Sequence, residues 1–333
     1  MLVLGGGAAI LSDLRPRFPE AELIWVATDI RERDHAPQGV AVRTDVAQPL
    51  ADNERVDLVL LAIPETRALA RRWLVLAWAH LAVGGTLLFA GANATGIRSI
   101  IADAEALTGP VPHWDDFRQK HRIARFVRTE AEAESPAWAS EPGIAPGTWA
   151  EVMVPVGDVV LTLATLPGVF AGSALDVGTE LLLAHLPIAE GTRVLDVGCG
   201  AGAIGFTARQ RGAGSVDLTD VNLLAVASVK ATISAQGLAD VRVRPGDTYT
   251  AFPGERYDLI VSNPPFHQGK AVDYHMPQTL IREAPQHLLP DGRLVIVANS
   301  FLPYDTLMAE RFRHVEVIAE TRKFRVLEAR NPR

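Results

Sequence analysis

The stretch VLDVGCGAGAIG, residues 194–205, decides the fold. Its first four residues have the character of a buried strand, glycines alternate at 198, 200 and 202, and a helix start follows from Ala203. A strand that turns on glycines into a helix opens a doubly wound parallel α/β sheet, whose ligands sit at the carboxyl ends of the strands. Gly200-x-Gly202-x-x-Gly205 also fits the dinucleotide fingerprint, so the glycines alone leave more than one cofactor open.

Two neighbouring features favour S-adenosylmethionine over a nicotinamide nucleotide. Asp196, two residues before Gly198, is placed to meet the cationic amino group of a methionine moiety. Gly198, Gly200 and Gly202 let the backbone approach a bulky ligand that carries no phosphate. Asp220, at the end of the next strand, is placed to bind a ribose diol through both carboxylate oxygens; the alternative is a cap on the helix that starts near Asn222. Asp247, after the third strand, either accepts from the adenine amine or serves the turn after Gly246.

Strand and helix alternate onward from the glycine turn. Strands are expected at 193–197, 216–219, 241–244, 258–261 and 293–298, with helices near 203–211, 222–236 and 277–288. Two final strands, 314–320 and 323–329, are close enough to form a hairpin and so place one antiparallel strand in the sheet. The fourth strand ends in SNPPFHQG, residues 262–269, where two prolines stop the ladder beside the presumed methyl donor. Methylating an exocyclic amine requires acceptors on its hydrogens, so that the nitrogen lone pair is freed from the ring. The side-chain oxygen of Asn263 and the carbonyl of Pro264 suit that task, with Pro264 and Pro265 holding the backbone and Phe266 offering a face on which a base stacks. His267 is expected to support rather than catalyse, because the methylated ammonium loses its proton readily.

The first 130 residues repeat the plan with its chemistry removed. MLVLGGGAA resembles RVLDVGCGAGA without the acid, and LIWVATDI ends in Asp29 much as SVDLTDV contains Asp220. VDLVLLAIPET lies on YDLIVSNPPFH with Ala62 where Asn263 stands. Between the halves, 131–147 has the Ala, Pro, Glu and Gly content of a linker. The expected domains are therefore 1–140, degenerate and serving substrate recognition or stability, and 148–333, catalytic.

With 333 residues, 48% hydrophobic and 21% charged, the chain is globular and long enough for two cores. Its single cysteine, Cys199, excludes a disulfide framework and a cysteine-only zinc site, and no metal is expected. The apolar run 73–92 contains His80 and is split by Gly84-Gly85, so it reads as a buried helix and strand rather than a membrane span. A cytoplasmic protein without membrane contact is expected, its oligomeric state left open with a monomer favoured. Net charge is −7 at pH 7, yet two stretches are locally basic. From His113 to Arg128, Arg118, Lys120, Arg122, Arg125 and Arg128 are interleaved with Trp114, Phe117 and Phe126. From Arg311 to Arg333 there are seven Arg or Lys against three Glu. Each by itself reads as a solvated helix face or strand edge; if RNA is the substrate, these stretches are the expected contacts to its phosphates.

The pairing of LDVGCGAGAIG with SNPPFHQG resembles the class I methyltransferases that modify exocyclic or amide nitrogens. With TLPGVFAGSALDVGTELLL (165–183), VIVANSFLPY (295–304) and GIRS (96–99), the chain is similar to the ribosomal RNA small-subunit methyltransferase C family. The resemblance implies two tandem Rossmann-like class I methyltransferase domains. The N-terminal one would be degenerate; the C-terminal one would have a mostly parallel seven-stranded sheet ending in an antiparallel hairpin. It also implies N2-methylation of a guanosine in 16S ribosomal RNA, as naked RNA or within an assembled small subunit, and adds Phe170 and Thr179 as cofactor contacts. Gln268, after His267, is also like the large-subunit guanine-N2 enzymes. Other readings are a protein glutamine N-methyltransferase, a nicotinamide oxidoreductase and a non-catalytic RNA-binding protein.

Overall fold

The computed structural model describes residues 1–93, 96–118, 120–131, 133–170, 174–265 and 275–333. It divides into two compact units, Met1–Ala150 with Thr165–Gly168, and Glu151–Ala164 with Val169–Arg333.

The strands of the first unit are β1 (Leu2–Leu4), β2 (Leu23–Val26), β3 (Val40–Arg43), β4 (Val56–Ala62), β5 (Leu81–Ala92), β6 (His113–Arg118) and β7 (His121–Val127). Its helices are α1 (Ala8–Leu14), α2 (Ile30–Arg33), α3 (Arg67–His80) and α4 (Ile97–Thr108). The run 73–92 is thus the end of α3 and the strand β5, as its glycines imply. Among the described residues no helix is long and apolar enough to cross a membrane.

The chain continues through β8 (Ala150–Val156) and β9 (Val159–Thr165), a two-stranded sheet turning at Gly157 (φ +59°), most of which belongs to the second unit. The helix α5 (Val177–His185) follows, and then β10 (Arg193–Val197), α6 (Ala203–Gln210), β11 (Ser215–Asp220), α7 (Leu223–Gln236), β12 (Val241–Pro245) and β13 (Tyr257–Ser262). The chain continues through α8 (His275–His287), β14 (Leu288–Asn299), α9 (Tyr304–Ala309), β15 (Phe312–Glu320) and β16 (Phe324–Pro332).

The two seven-stranded sheets have one topology. Their orders are β3-β2-β1-β4-β5-β7-β6 and β12-β11-β10-β13-β14-β16-β15, the same arrangement displaced by nine strands. In each, only the strand beside the edge runs against its neighbours, β7 in one and β16 in the other. The likeness extends to irregularities: the ladder slips between Val56 and Leu58 in the first sheet and between Tyr257 and Leu259 in the second.

Register makes the correspondence residue by residue. Leu4 lies opposite Leu61 and Val26, as Val197 lies opposite Ser262 and Thr219. Val3 therefore stands where Asp196 does, Ala62 where Asn263 does, and Ala27 where Asp220 does. The last of these corrects the sequence alignment, which set Asp29 against Asp220. Asp29 occupies the place of Asn222 instead, and both cap a helix: Asp29 accepts from the Arg31 N–H, and Asn222 from the Leu224 N–H, each at 2.9 Å.

The segment 131–147 is not a free linker. A 3-10 turn at Ala137–Ser140 places Trp138 under the Arg71 guanidinium, 4.7 Å from the ring centre, and buries Ala139 and Ile144. Buried Arg72 donates to the carbonyls of Gly143 (2.8 Å) and Ala47 (2.9 Å). Composition suggested an exposed connection, but its backbone turns on itself, Ala139 donating to Pro136 and Ile144 and Ala145 to Glu141, while Arg72 takes the Gly143 carbonyl.

In the second unit the central strands β10 and β13 are covered on both faces, which is why they read as unbroken apolar runs. One face, with Ile260, Leu294, Ile296 and Leu327, packs against Leu280, Ile281 and Met308 of α8 and α9. Each such side chain contributes about 1.5–3 kcal/mol by leaving water. This core holds the carboxyl ends of β10, β11 and β13 in fixed relation, and there the polar residues gather.

Candidate active site

The glycine turn after β10 is pinned from below. The N–H groups of Gly198 and Cys199 both donate to the Thr219 carbonyl (2.9 and 3.1 Å), and that of Gly202 donates back to Cys199 (2.8 Å). Gly198, Gly200 and Gly202 all have positive φ, a conformation that a side chain would strain. A Cβ on Gly202 would strike Phe206 at 2.7 Å, so packing demands that glycine. At Gly200 it would meet only the Phe170 carbonyl at 3.5 Å, so there the turn is open beneath the Phe170 backbone. The Phe170 side chain is 64% exposed at this edge.

Asp196 is wholly buried on β10. Its Oδ2 accepts from the Gly205 N–H at 2.9 Å, while among the described residues Oδ1 is buried without a hydrogen bond. Burial pushes the carboxyl up to about 7; the Gly205 N–H opposes this and the Asp220 charge adds to it. A buried carboxylate oxygen lacking a donor is the kind of group that a cationic donor would satisfy. Burial likewise raises the Cys199 thiol well above its ordinary value, so it is no nucleophile.

Asp220 closes β11 with its carboxylate split between two amides, Oδ2 to the Gly200 N–H and Oδ1 to the Asn222 N–H, both at 2.9 Å. The helix α7 is capped by Asn222, so the cap reading of Asp220 fails. Asp247 lies two residues beyond β12, brought close by the Gly246 N–H donating to the Asp220 carbonyl (3.1 Å). Its backbone forms a turn with Thr250 (2.9 Å each way), and its carboxylate is half-buried.

On β13, Ser262 donates to the Val197 carbonyl at 2.7 Å and locks this strand end to the end of β10. Asn263 follows, half-buried; its Nδ2 donates to Asp176 Oδ2 at 3.1 Å and to Thr179 Oγ1 at 2.8 Å. Asp176 is itself the cap of α5, accepting from the N–H groups of Gly178 (2.9 Å) and Thr179 (3.2 Å). Pro264 is buried and Pro265 exposed. Phe266, His267 and Gln268 lie outside the described residues.

Asp196, Asp220, the three glycines and Phe170 thus gather around one turn, and Asn263 ends the adjacent strand. Thr179, expected at the cofactor, stands against Asn263. Asp176 and Ser262 were missed as site residues. An acid three residues before Thr179 and just ahead of an apolar run is a helix-cap signal, but nothing local announces its second bond.

The basic stretches separate into exposed cations and cations tied into the fold. On the β6–β7 hairpin Trp114 and Phe117 are 52% and 49% exposed, and the Arg122 guanidinium lies over Phe117, 5.4 Å from the ring centre, paired with Asp115. Arg125 and Lys120 are exposed. Arg128, expected to meet RNA, instead donates to the Trp78 and Leu81 carbonyls at the end of α3. In the last hairpin Arg325 is likewise tied to Asp305 (3.1 Å) and the Leu302 carbonyl (2.9 Å), leaving Arg322 and Lys323 exposed.

Residues 160–328 match the family described as Methyltransferase small domain. The ribosomal RNA small subunit methyltransferase C of Chromohalobacter salexigens is 38% identical over 310 residues, covering 92% of this chain and 87% of that one. The protein of the same name from Aeromonas hydrophila is 36% identical over 273 residues, covering 82% and 76%. Among solved structures, the T. thermophilus 16S rRNA N2 methyltransferase RsmC, in complex with AdoMet and guanosine, superposes with a TM-score of 0.83 at 26% identity. That match covers 99% of this chain and 87% of that one. The sheet order, the glycine turn and these likenesses define an S-adenosylmethionine-dependent methyltransferase with two methyltransferase-like domains. The chain belongs to the ribosomal RNA small subunit methyltransferase C family.

Proposed function

We propose that this protein methylates the exocyclic N2 of a guanosine in 16S ribosomal RNA, with S-adenosylmethionine as donor. The observation that carries the reading is the Asn263 amide, whose nitrogen is engaged behind the strand while its oxygen accepts no bond among the described residues. Asp196 and the glycine turn, open at Gly200, hold the methionine portion, Asp220 the ribose and Asp247 the adenine. Phe170 covers the turn.

When bound, S-adenosylmethionine would supply an electrophilic methyl group for N2, its carbon–sulfur bond breaking with the pair to sulfur and the N2 proton passing to water. Asn263 Oδ1 and the Pro264 carbonyl accept the two N2 hydrogens and draw the nitrogen toward tetrahedral geometry. Neither acceptor has to reorganise, because Pro264 and Pro265 restrict the backbone and Asp196, Gly205 and Ser262 anchor the strand ends around it. A base within a helix cannot reach this strand end, so the target is single-stranded or flipped out, and phosphate contacts hold the strand meanwhile. Lys120, Arg122 and Arg125, with Trp114 and Phe117, make those contacts in the first unit, and Arg322 and Lys323 in the second.

The test is to digest 16S ribosomal RNA from a deletion strain to nucleosides and quantify N2-methylguanosine by mass spectrometry. The expected result is a loss that the intact gene restores and Asn263→Ala does not. Unchanged N2-methylguanosine in the deletion strain would refute the reading. In vitro, Asn263→Ala should bind S-adenosylmethionine normally yet turn over about 100- to 1000-fold more slowly, the typical cost of one lost transition-state hydrogen bond.

A further inference from the structure

A carboxamide has two nearly identical ends, and the proposed role of Asn263 works with only one of them forward. With oxygen toward the base it accepts an N2 hydrogen; turned over, it would point its own hydrogens at those of the base. We infer that Asp176 is the positioning residue that fixes this choice, an inference that rests on the proposed base methylation. A carboxylate only accepts, so the group meeting Asp176 Oδ2 at 3.1 Å is the Asn263 NH2. The Thr179 hydroxyl, 2.8 Å away, could donate to an oxygen or accept from a nitrogen, and by itself would decide nothing.

Asp176 is suited to the task because it is not free to move. The same Oδ2 accepts from the N–H groups of Gly178 and Thr179, so the first turn of α5 holds it in place. The Gly178 side of that turn packs on Phe324: a Cβ there would sit 3.4 Å from the ring. Orientation therefore passes from the backbone of α5 to Asp176, from Asp176 to the Asn263 nitrogen, and so to the oxygen on the other side. Thr179, buried beside it, completes the seat for the NH2 group.

Capping and positioning are separable. Asp176→Ser keeps an oxygen for the cap, since serine serves that position as well as aspartate, but its shorter side chain does not reach Asn263. Asp176→Asn keeps one carbonyl oxygen of the same reach, which can stand in for Oδ2 toward both the cap N–H groups and the Asn263 NH2. For Asp176→Ser we expect unchanged thermal stability and S-adenosylmethionine affinity, turnover at least about tenfold lower, and exchange of the Asn263 side-chain NH2 hydrogens, followed by NMR, at least about tenfold faster. Asp176→Asn should recover most of the turnover and the slow exchange. Wild-type turnover and exchange in Asp176→Ser would overturn the inference. So would a parallel loss of stability and cofactor affinity with Asp176→Asn no better, since Asp176 would then be only a cap. Exchange reads the amide seat without catalysis, so failure of the base-methylation reading would show as wild-type protein inactive on 16S RNA with the exchange difference intact.

Discussion

One carboxylate oxygen of Asp220 accepts the backbone N–H of Gly200 at 2.9 Å, joining the end of β11 to the open point of the glycine turn. An acid at that junction shapes the turn through both carboxylate oxygens, and in the proposed function it faces the ribose. Asp220→Ala should therefore weaken S-adenosylmethionine binding at least about tenfold in a calorimetric titration, since a hydrogen bond to a charged group is worth about 1.5–3 kcal/mol. The fold should survive, because α7 keeps its own cap in Asn222. Unchanged affinity would remove Asp220 from the cofactor site.

Asp196 should leave its mark on pH dependence. Its carboxyl is raised from 3.8 to about 7 in the folded chain, so the folded state holds a proton that the unfolded state has lost across that interval. The stability it contributes is complete below about pH 4 and is lost as pH rises through about 7. Asp196→Asn cannot ionise and should flatten the fall of melting temperature between pH 5 and 8 measured without cofactor. Cofactor affinity in the wild type should rise over the same range, as the carboxylate that meets the ammonium forms. Parallel melting curves for the two proteins would refute this assignment.

Cofactor stoichiometry should be one per chain. Val3, Ala27 and Ala62 stand where Asp196, Asp220 and Asn263 stand in the second sheet, so the first sheet offers a cationic ligand no carboxylate at these three places. Calorimetry on the full chain should give a single site, abolished by changes in the second sheet alone. Two equivalents bound would mean that the first sheet is still a working site.

The β6–β7 hairpin should account for part of the salt dependence of RNA binding. Each phosphate contact to a single strand adds a slope of roughly −0.7 in log affinity against log salt. Replacing Lys120 and Arg122 together by Ala should raise the KM for RNA and flatten that slope, with cofactor affinity unchanged. Arg128→Ala should instead lower the melting temperature, because its guanidinium caps the carbonyls at the end of α3, and should leave the slope alone. A slope unmoved by the double change would make this hairpin an ordinary solvated edge.

Strand–glycine–helix and Asn-Pro-Pro were legible in the sequence because their causes are local: positive φ needs glycine at 198, 200 and 202, and proline cannot continue a ladder. The alternation of β10 to α8 was legible for a similar reason, since burial on both faces writes itself as apolar runs. The β8–β9 pair was equally open to reading, its burial alternating at every second residue, although it lay outside the regular array. Register decided what alignment by eye could not: Asp29 and Asp220 end similar phrases, yet hydrogen bonding puts Asp29 opposite the role of Asn222. The seat of the Asn263 amide was beyond any local reading, because Asp176 lies 87 residues away and its charge is spent first on its own helix. Sequence determines which side chains carry chemistry; only the packing of α5 against the end of β13 decides which way the Asn263 amide faces, because its nitrogen and oxygen ends are told apart solely by the partner brought to them.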